Sequence, residues 1–297
     1  MFYNYPQESL LGVFLSMHIV EAKKITEEVK RMAIEAAYYL PQDVLTSLKM
    51  SREAEKWSLA RDTLDQIIEN ADIAKNTNSP MCQDTGMAVV FVTIGQDVHI
   101  EGGYIEDAIN EGVRQGYTEG YLRKSVVADP VYNRVNTKDN TPAVIHYNIV
   151  PGDKLHIMFA GKGFGSENMS RLGMLKPSDG LEGVKKFILE TVELAGPNPC
   201  PPIVVGVGIG GTVDKVTLIA KKALMRPMDS YNPDPFYANL EKEMLEKVNA
   251  LGIGPQGYGG KTTALRVLIE TYPTHIAGLP ICVNINCHAT RHKEVTL

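Results

Sequence analysis

The sequence lacks any Cys-x-x-Cys pair among its four cysteines, which excludes the spacings of zinc ribbons, thioredoxins and common ferredoxins. It also lacks a long apolar segment. The run Leu10–Leu15 is too short to cross a bilayer, and no basic residue precedes it as a signal peptide requires. No low-complexity stretch is present, which argues against disorder. We therefore expect a globular cytoplasmic protein whose thiols stay reduced and that has no membrane partner.

Excess positive charge is lacking as well. The net charge is −5 and no basic stripe offsets it, so we do not expect a nucleic-acid partner. With 297 residues, the chain is long enough for one large domain or two smaller ones. We divide it into a helical N-terminal segment, residues 1–80, and an α/β part, residues 81–297, with one continuous domain as the alternative.

Apolar spacing predicts a mixed α/β fold, in which a helical N-terminal segment comes first and an α/β part follows. The predicted helices cover residues 25–40, 51–74, 105–121, 181–195, 213–224, 236–251 and 261–270. The predicted strands cover residues 87–94, 143–149, 155–160, 203–207 and 279–285. We find no internal repeat.

Two glycine-rich segments are similar to nucleotide-binding loops but depart from them. Residues 206–211 lack the correctly spaced third glycine and the second strand of a dinucleotide fingerprint, so close helix–strand packing explains these glycines better. The segment 254–263 has one residue too many between Gly254 and Gly260, and it follows a helix. Lys261, at a predicted helix start, remains a candidate for holding an anion; a flexible turn is the alternative.

The four cysteines divide into two groups. Cys282 lies inside a predicted strand, on the face of Asn284, and is typical of a buried small hydrophobe. Cys82, Cys200 and Cys287 lie in loops bounded by proline, glycine and asparagine, where backbone amides can hydrogen-bond to a metal-bound sulfur. Considered alone, these three are buried hydrophobes, reactive thiols or metal ligands.

The number of thiolates matters for iron–sulfur chemistry. A 4Fe–4S cluster held by four thiolates is an electron carrier with its irons covered. A cluster held by three keeps one iron open to a substrate hydroxyl or carboxylate.

Polar residues crowd the cysteine loops. Gln83 and Asp84 directly follow Cys82, and Asp84 is the best acid candidate in the chain. The segment 162–168 is a third glycine-rich candidate for anion binding.

Two more distant residues complete the candidate site. His275 lies twelve residues before Cys287, and we expect it to reach the same site across the strand. A lone histidine is more often a surface or satisfied core residue, which is the alternative. Arg123 is either an ordinary cation at a helix end or a clamp for a carboxylate.

Six motifs together are similar to a known family: Met81–Gly86, Asn136–Ala143, Lys162–Asn168, Cys200–Pro202, Gly252–Gly257 and Cys287–Ala289. They resemble class I, iron–sulfur fumarate hydratase. More narrowly, they resemble the α subunit of its two-subunit form, a group that includes the L-tartrate dehydratase α subunit. The resemblance runs from about residue 10 to the C-terminus, and no single motif carries it.

The resemblance implies a 4Fe–4S cluster held by Cys82, Cys200 and Cys287, with one open iron. The substrate-site positions carried over with it are Gln83, Asp84, Arg123, Gly163 and His275. It implies that Asp84 and His275 form the acid pair, and that the substrate is a small dicarboxylate.

The activity implied by the resemblance is the reversible hydration of fumarate to (S)-malate, a step of the tricarboxylic acid cycle. Dehydration of L-tartrate to oxaloacetate is the alternative, and the segments 162–168 and 259–263 favour fumarate. A non-catalytic iron–sulfur protein, or a nucleotide-binding module using Lys261, would belong to other functional classes.

The resemblance also implies a partner. Single-chain relatives carry a C-terminal domain that supplies the catalytic base and further carboxylate clamps, and this sequence has no such domain after Cys287. We therefore expect a separate β subunit of about two hundred residues, the size of one ordinary domain, in an α2β2 heterotetramer.

Overall fold

The computed structural model describes residues 17–297, and the apolar run Leu10–Leu15 lies outside them. Helices and strands are mixed along the chain, which confirms the predicted α/β class. Among residues 17–297, no helix is both long enough and apolar enough to cross a membrane.

The elements follow one another in an irregular alternation. The helices are α1 (Ala22–Tyr38), α2 (Gln42–Ala54), α3 (Ser58–Thr77), α4 (Ile105–Glu119), α5 (Phe164–Glu167), α6 (Gly180–Ala195), α7 (Val213–Ala223) and α8 (Pro235–Ala250). The strands are β1 (His18–Glu21), β2 (Met87–Gly95), β3 (Val98–Glu101), β4 (Val144–Val150), β5 (Leu155–Lys162), β6 (Arg171–Leu175), β7 (Ile203–Gly210), β8 (Ala264–Tyr272), β9 (Leu279–Asn286) and β10 (His292–Thr296).

The described residues form two compact units, and each unit is assembled from separate stretches of chain. One unit contains residues 17–37, Thr85–Gly161 and His292–Leu297. The other contains Tyr38–Asp84 and Lys162–Arg291. The sequence predicted a single division at residue 80, where helices give way to strands. In the structure the chain instead passes back and forth between the two units.

The first unit contains the four-stranded sheet β10-β5-β2-β4 and the parallel pair β1-β3. Its helix α1 packs against α4, with the apolar stripe of α1 fully buried. Gly112 lets the two helices approach closely, because an added Cβ there would lie 2.7 Å from the Thr26 carbonyl oxygen. The Thr26 hydroxyl also donates to the Ala108 carbonyl oxygen, at 2.9 Å.

The second unit is a three-layer arrangement around the sheet β6-β9-β7-β8. The odd-numbered apolar residues of β7 and β9 pack against α6 and α8 in one core. On the opposite face, Cys282 packs against Val216 and Ala220 of α7, as the alternation of a strand predicts. The predicted placement of Cys282 as a buried hydrophobe is therefore confirmed.

The glycines of β7 explain the first glycine-rich segment. An added Cβ at Gly206 would lie 2.4 Å from the Ala220 carbonyl oxygen, and one at Gly208 would lie 2.3 Å from the Val216 carbonyl oxygen. Both contacts are with the backbone of α7, so the glycines allow this helix to lie directly on the strand. This supports the packing interpretation of residues 206–211.

The predicted helix over residues 51–74 is wrong in its bounds. The structure has two helices there, α2 and α3, separated at Glu55–Trp57. Glu55 is only 5% exposed, and its carboxylate accepts hydrogen bonds from the backbone N–H groups of Lys56 and Trp57 at 2.9 and 3.0 Å. These N–H groups thus bond to a side chain instead of continuing the helix.

The predicted helix over residues 261–270 is also wrong, because this segment forms β8 beside β7. Its residues 264–269 are all buried, and a strand covered on both faces loses the alternation that distinguishes it from a helix. Lys261 therefore does not begin a helix. Its N–H donates to the Glu55 carboxylate at 2.6 Å, so this backbone donor already has a partner within the protein, and the alternative of a turn fits better than an anion site at a helix start.

We predict that Gly208→Ala destabilises the protein by about 1–3 kcal/mol, since the new Cβ would force α7 away from the sheet. Gly278→Ala is the matched control, because its Cβ would have only ordinary contacts, the nearest at 3.8 Å. The control should change stability by less than about 0.5 kcal/mol. Urea unfolding measures both variants, and equal midpoints would contradict the packing role of Gly208.

Candidate active site

Three loops meet at one end of the second unit's sheet because of how its strands pair. β7 and β9 are antiparallel, and Val204 lies opposite Asn286. Cys200, just before β7, and Cys287, just after β9, are therefore at the same end. β8 runs parallel to β7 from the same end, so the loop before β8 arrives there too.

The Cys82 loop is held by apolar packing against the segment that follows Cys287. Met81 is buried in a small cluster with Ala74 and Ala289, and Cys82 and Cys287 both pack against this cluster. The Asn70 amide donates to the Met81 carbonyl oxygen at 2.8 Å and fixes the loop to α3.

The three predicted cluster ligands are electrostatic neighbours. Partial burial raises the pKa of the Cys200 thiol, and Cys287, Cys82 and Asp84 raise it further through their negative charges. Cys200 itself is exposed, whereas Cys82 and Cys287 are half-buried. The structure thus brings together three cysteines from three loops, with the Asp84 carboxylate among them.

Hydrogen bonds through Gln256 and His288 join the Cys200 loop to the segment that follows Cys287. The Gln256 side-chain amide and backbone N–H both donate to the Pro201 carbonyl oxygen, at 2.9 and 2.8 Å. His288 Nδ1 lies 3.0 Å from the Cys200 carbonyl oxygen and 3.3 Å from the Gln256 amide nitrogen. Gln256 and His288 were not singled out from the sequence, although both lie within family-like motifs.

Asp84 is held from two sides. One oxygen of the Asp84 carboxylate accepts a hydrogen bond from the backbone N–H of Phe164 at 2.9 Å. The backbone carbonyl oxygen of Asp84 accepts a hydrogen bond from the Arg291 guanidinium at 2.7 Å. An added Cβ at Gly163 would lie 3.3 Å from both the Asp84 carboxylate and the Arg291 guanidinium. Gly163 therefore leaves room for these two groups. Gln83 is exposed beside Asp84.

Arg123 belongs to the first unit. It is exposed, and its backbone N–H donates to the Thr85 hydroxyl at 2.9 Å. Its carbonyl oxygen accepts from the same hydroxyl at 3.2 Å. Its predicted role as a carboxylate clamp stays a prediction.

His275 is not brought to the cysteines within the second unit. It is exposed in the turn between β8 and β9, where its Nδ1 accepts the Ala277 N–H at 3.2 Å. Cys287 follows the other end of β9, and this eight-residue strand spans roughly 25 Å. The expectation that His275 reaches the same site across the strand is therefore not supported within one chain.

Cys282 lies apart from the other three cysteines. It is 5% exposed beneath α7, and its electrostatic neighbours are Lys221 and Glu167. Burial raises the pKa of its thiol to about 11.

The three thiols are donors of the kind that an iron–sulfur cluster takes. Among the described residues, no three His, Cys, Asp or Glu side chains lie close enough to bind one ion. A cluster binds each thiolate at a different iron, so its ligands are spread more widely. Three neighbouring thiols with apolar packing around two of them suit such a group.

A buried lysine borders this site and was not assigned a role from the sequence. Burial lowers the pKa of Lys162 to about 8, although the nearby Glu167 raises it. Cys287 is among its electrostatic neighbours. The signal in the sequence was weak, because nothing around Lys162 distinguishes a buried ammonium from a surface one.

Residues 26–296 match the protein family described as Fumarate hydratase (Fumerase). The chain belongs to this family. Its members are hydro-lyases, enzymes that add or remove water, which confirms the family-level expectation.

Individual relatives cover nearly the whole chain. The putative L(+)-tartrate dehydratase subunit alpha of Methanocaldococcus jannaschii is 46% identical over 272 residues, which cover 90% of this chain and 95% of the relative. The L(+)-tartrate dehydratase subunit alpha of Escherichia coli strain UTI89 is 34% identical, covering 92% and 90%. The protein of the same name from Shigella boydii is 32% identical, with the same coverage.

We predict that alkylation of the folded, metal-free chain at pH 8 leaves Cys282 unmodified while Cys200 reacts. With a pKa of about 11, only about one Cys282 thiol in a thousand is ionised at pH 8, and the side chain is covered. Peptide mass spectrometry should show that Cys282 reacts about 100-fold more slowly in the folded chain than in the chain unfolded in urea. Equal rates in the folded and unfolded chain would contradict this placement.

Proposed function

We propose that the chain is the cluster-bearing subunit of a hydro-lyase that interconverts fumarate and (S)-malate. The convergence of the Cys82, Cys200 and Cys287 thiols beside the Asp84 carboxylate carries the proposal. Membership of the fumarate hydratase family supports it.

The three thiolates would hold a 4Fe–4S cluster. When bound, such a cluster supplies an open iron that polarises the substrate hydroxyl as a Lewis acid. Asp84, whose carboxylate accepts the Phe164 N–H at 2.9 Å, would give a proton to the hydroxyl that leaves as water and, in the hydration direction, take a proton from the entering water.

The other predicted substrate contacts depend on the resemblance. Gln83 and Gly163 adjoin Asp84, which supports their assignment to the substrate-binding surface. Arg123 and His275 stay predictions, and we assign the acid role to Asp84 alone.

We infer that a partner subunit completes the active site. The relatives from Methanocaldococcus jannaschii and Escherichia coli are named as alpha subunits, which supports a heteromer. The partner would be the β subunit of about two hundred residues, one ordinary domain, in an α2β2 assembly. It would supply the base that removes the proton from C3, so this chain alone should turn over little substrate.

L-tartrate dehydration is the second candidate, and it is favoured by the names of the relatives from Methanocaldococcus jannaschii and Escherichia coli. (S)-Malate and L-tartrate are both four-carbon dicarboxylates that lose a hydroxyl next to a carboxylate. L-tartrate carries a second hydroxyl on the neighbouring carbon. The same open iron and Asp84 would serve either reaction, so the difference must lie in the groups facing that second hydroxyl.

The test is an anaerobic assay of the chain co-purified with its partner, with fumarate, (S)-malate and L-tartrate as substrates. We expect turnover of fumarate and malate. Asp84→Asn should lower kcat by about 10²–10⁴ while the iron content stays unchanged, because only the proton carrier is removed. Asp229→Asn, at an exposed carboxylate elsewhere in the same unit, is the control. Use of L-tartrate alone would establish the second candidate, and use of neither would overturn the proposal.

We predict that Cys82→Ser, Cys200→Ser and Cys287→Ser each abolish stable cluster binding, since each removes one thiolate ligand. Cys282→Ala should retain the cluster, because this side chain packs beneath α7. Iron and sulfide per chain after anaerobic reconstitution, together with EPR of the reduced protein, measure the difference. Equal losses in all four variants would show that the ligand assignment is wrong.

A further inference from the structure

Lys162 is a buried cation that the proposed mechanism does not use. It ends β5 and is 2% exposed. Lysine is almost never fully buried unless its ammonium is paired. Its position one residue before Gly163, and its electrostatic contact with Cys287, place it beside the candidate site.

The ammonium of Lys162 is occupied within its own turn. It donates to the Gly163 carbonyl oxygen at 3.2 Å and to the Ser166 hydroxyl at 2.9 Å, and it lies 3.3 Å from the Glu167 carboxylate. An ammonium has three N–H donors, so these contacts account for all of them. Lys162 therefore ties the turn 163–167 together and is not available to bind a ligand.

Glu167 anchors the same turn to the rest of the second unit. Its carboxylate pairs with Lys221 of α7 and accepts the Asn284 side-chain amide of β9 at 3.0 Å. Burial raises the pKa of Glu167, but Lys162 and Lys221 outweigh this and lower it, which keeps the carboxylate charged. Both anchors come from regular elements, which are more rigid than loops.

The other side of the turn faces Asp84. Phe164, the first residue of α5, donates its backbone N–H to the Asp84 carboxylate at 2.9 Å. The Ser166 hydroxyl donates to the Gly163 carbonyl oxygen at 3.1 Å and closes the turn from within. The position of the N–H that holds Asp84 thus depends on a turn that Lys162 ties together.

We propose that Lys162 is a positioning residue that fixes the turn 163–167 and, through the Phe164 N–H, the Asp84 carboxylate for proton transfer. This inference rests on the proposed function, in which Asp84 moves the proton. Small displacements of a reacting group are enough to slow catalysis, by up to about 100-fold for 1 Å.

The main experiment compares Lys162→Met with the wild-type complex, purified anaerobically. We expect kcat to fall about 10- to 100-fold and KM to change much less, because Gly163 is the one proposed substrate contact that lies in the turn. Iron per chain should stay unchanged. Lys162→Arg, which keeps the charge and the donors, should recover part of kcat. Lys185→Met is the matched control, since Lys185 pairs with Glu182 and Glu243 on the helices α6 and α8.

A double-mutant comparison separates positioning from a general loss of stability. In the Asp84→Asn background, Lys162→Met should lower kcat less than about twofold further, because residues that act as one unit are not additive. Multiplied losses, or loss of iron with Lys162→Met, would overturn the inference.

Hydrogen exchange gives a readout that does not depend on turnover. In the full complex, Lys162→Met should speed exchange in peptides covering residues 163–168 and leave those of α6 unchanged. Unchanged exchange in the turn would overturn the inference. A wild-type complex that turns over neither fumarate nor L-tartrate would overturn the proposed function, and with it the role of Lys162 in catalysis.

If the wild-type complex is active but Lys162→Met does not change kcat or exchange as expected, the proposed function stands and only the inference about Lys162 fails.

Discussion

The antiparallel register between β7 and β9 is the constraint on which the candidate site depends. With Val204 opposite Asn286, the loop before one strand and the loop after the other must share one end of the sheet. A slip of one residue would turn every side chain of a strand to the opposite face. The buried odd-numbered residues of both strands forbid such a slip, so the packed core also places Cys200 and Cys287.

Around the thiols, the structure is supported more by backbone groups than by charges. The Pro201 carbonyl oxygen accepts a hydrogen bond from the Gln256 amide, and the Cys200 carbonyl oxygen is hydrogen-bonded to the His288 ring. The Asp84 carboxylate accepts the backbone N–H of Phe164. Such outer contacts orient ligands and set their environment. The ion pair of Lys162 and Glu167 acts on Asp84 indirectly, because it holds the turn that carries the Phe164 N–H.

The sequence singled out the three loop cysteines and Asp84, which the structure brings together, and it predicted most element types, because loops bounded by proline and glycine and clear apolar periodicity are local signals. It was insufficient where the deciding partner is distant. The helix break at Glu55 and the loop at Lys261 share one carboxylate although 206 residues separate them. β8 could not be distinguished from a helix because both of its faces are covered. The twelve-residue spacing between His275 and Cys287 did not reveal that the strand β9 lies between them.

The carboxylate of Glu55 makes the candidate site sensitive to acid. Burial raises the pKa of Glu55, but N–H donors from Trp57, Lys261, Lys56 and Thr262 outweigh it and lower the pKa in the folded state. Its stabilisation is therefore complete above the pKa of an unfolded glutamate and is lost as the pH falls through the folded value. Two of these donors, Lys261 and Thr262, lie in the loop that also carries Gln256, so protonation of Glu55 would weaken the support of the Cys200 loop from a distance.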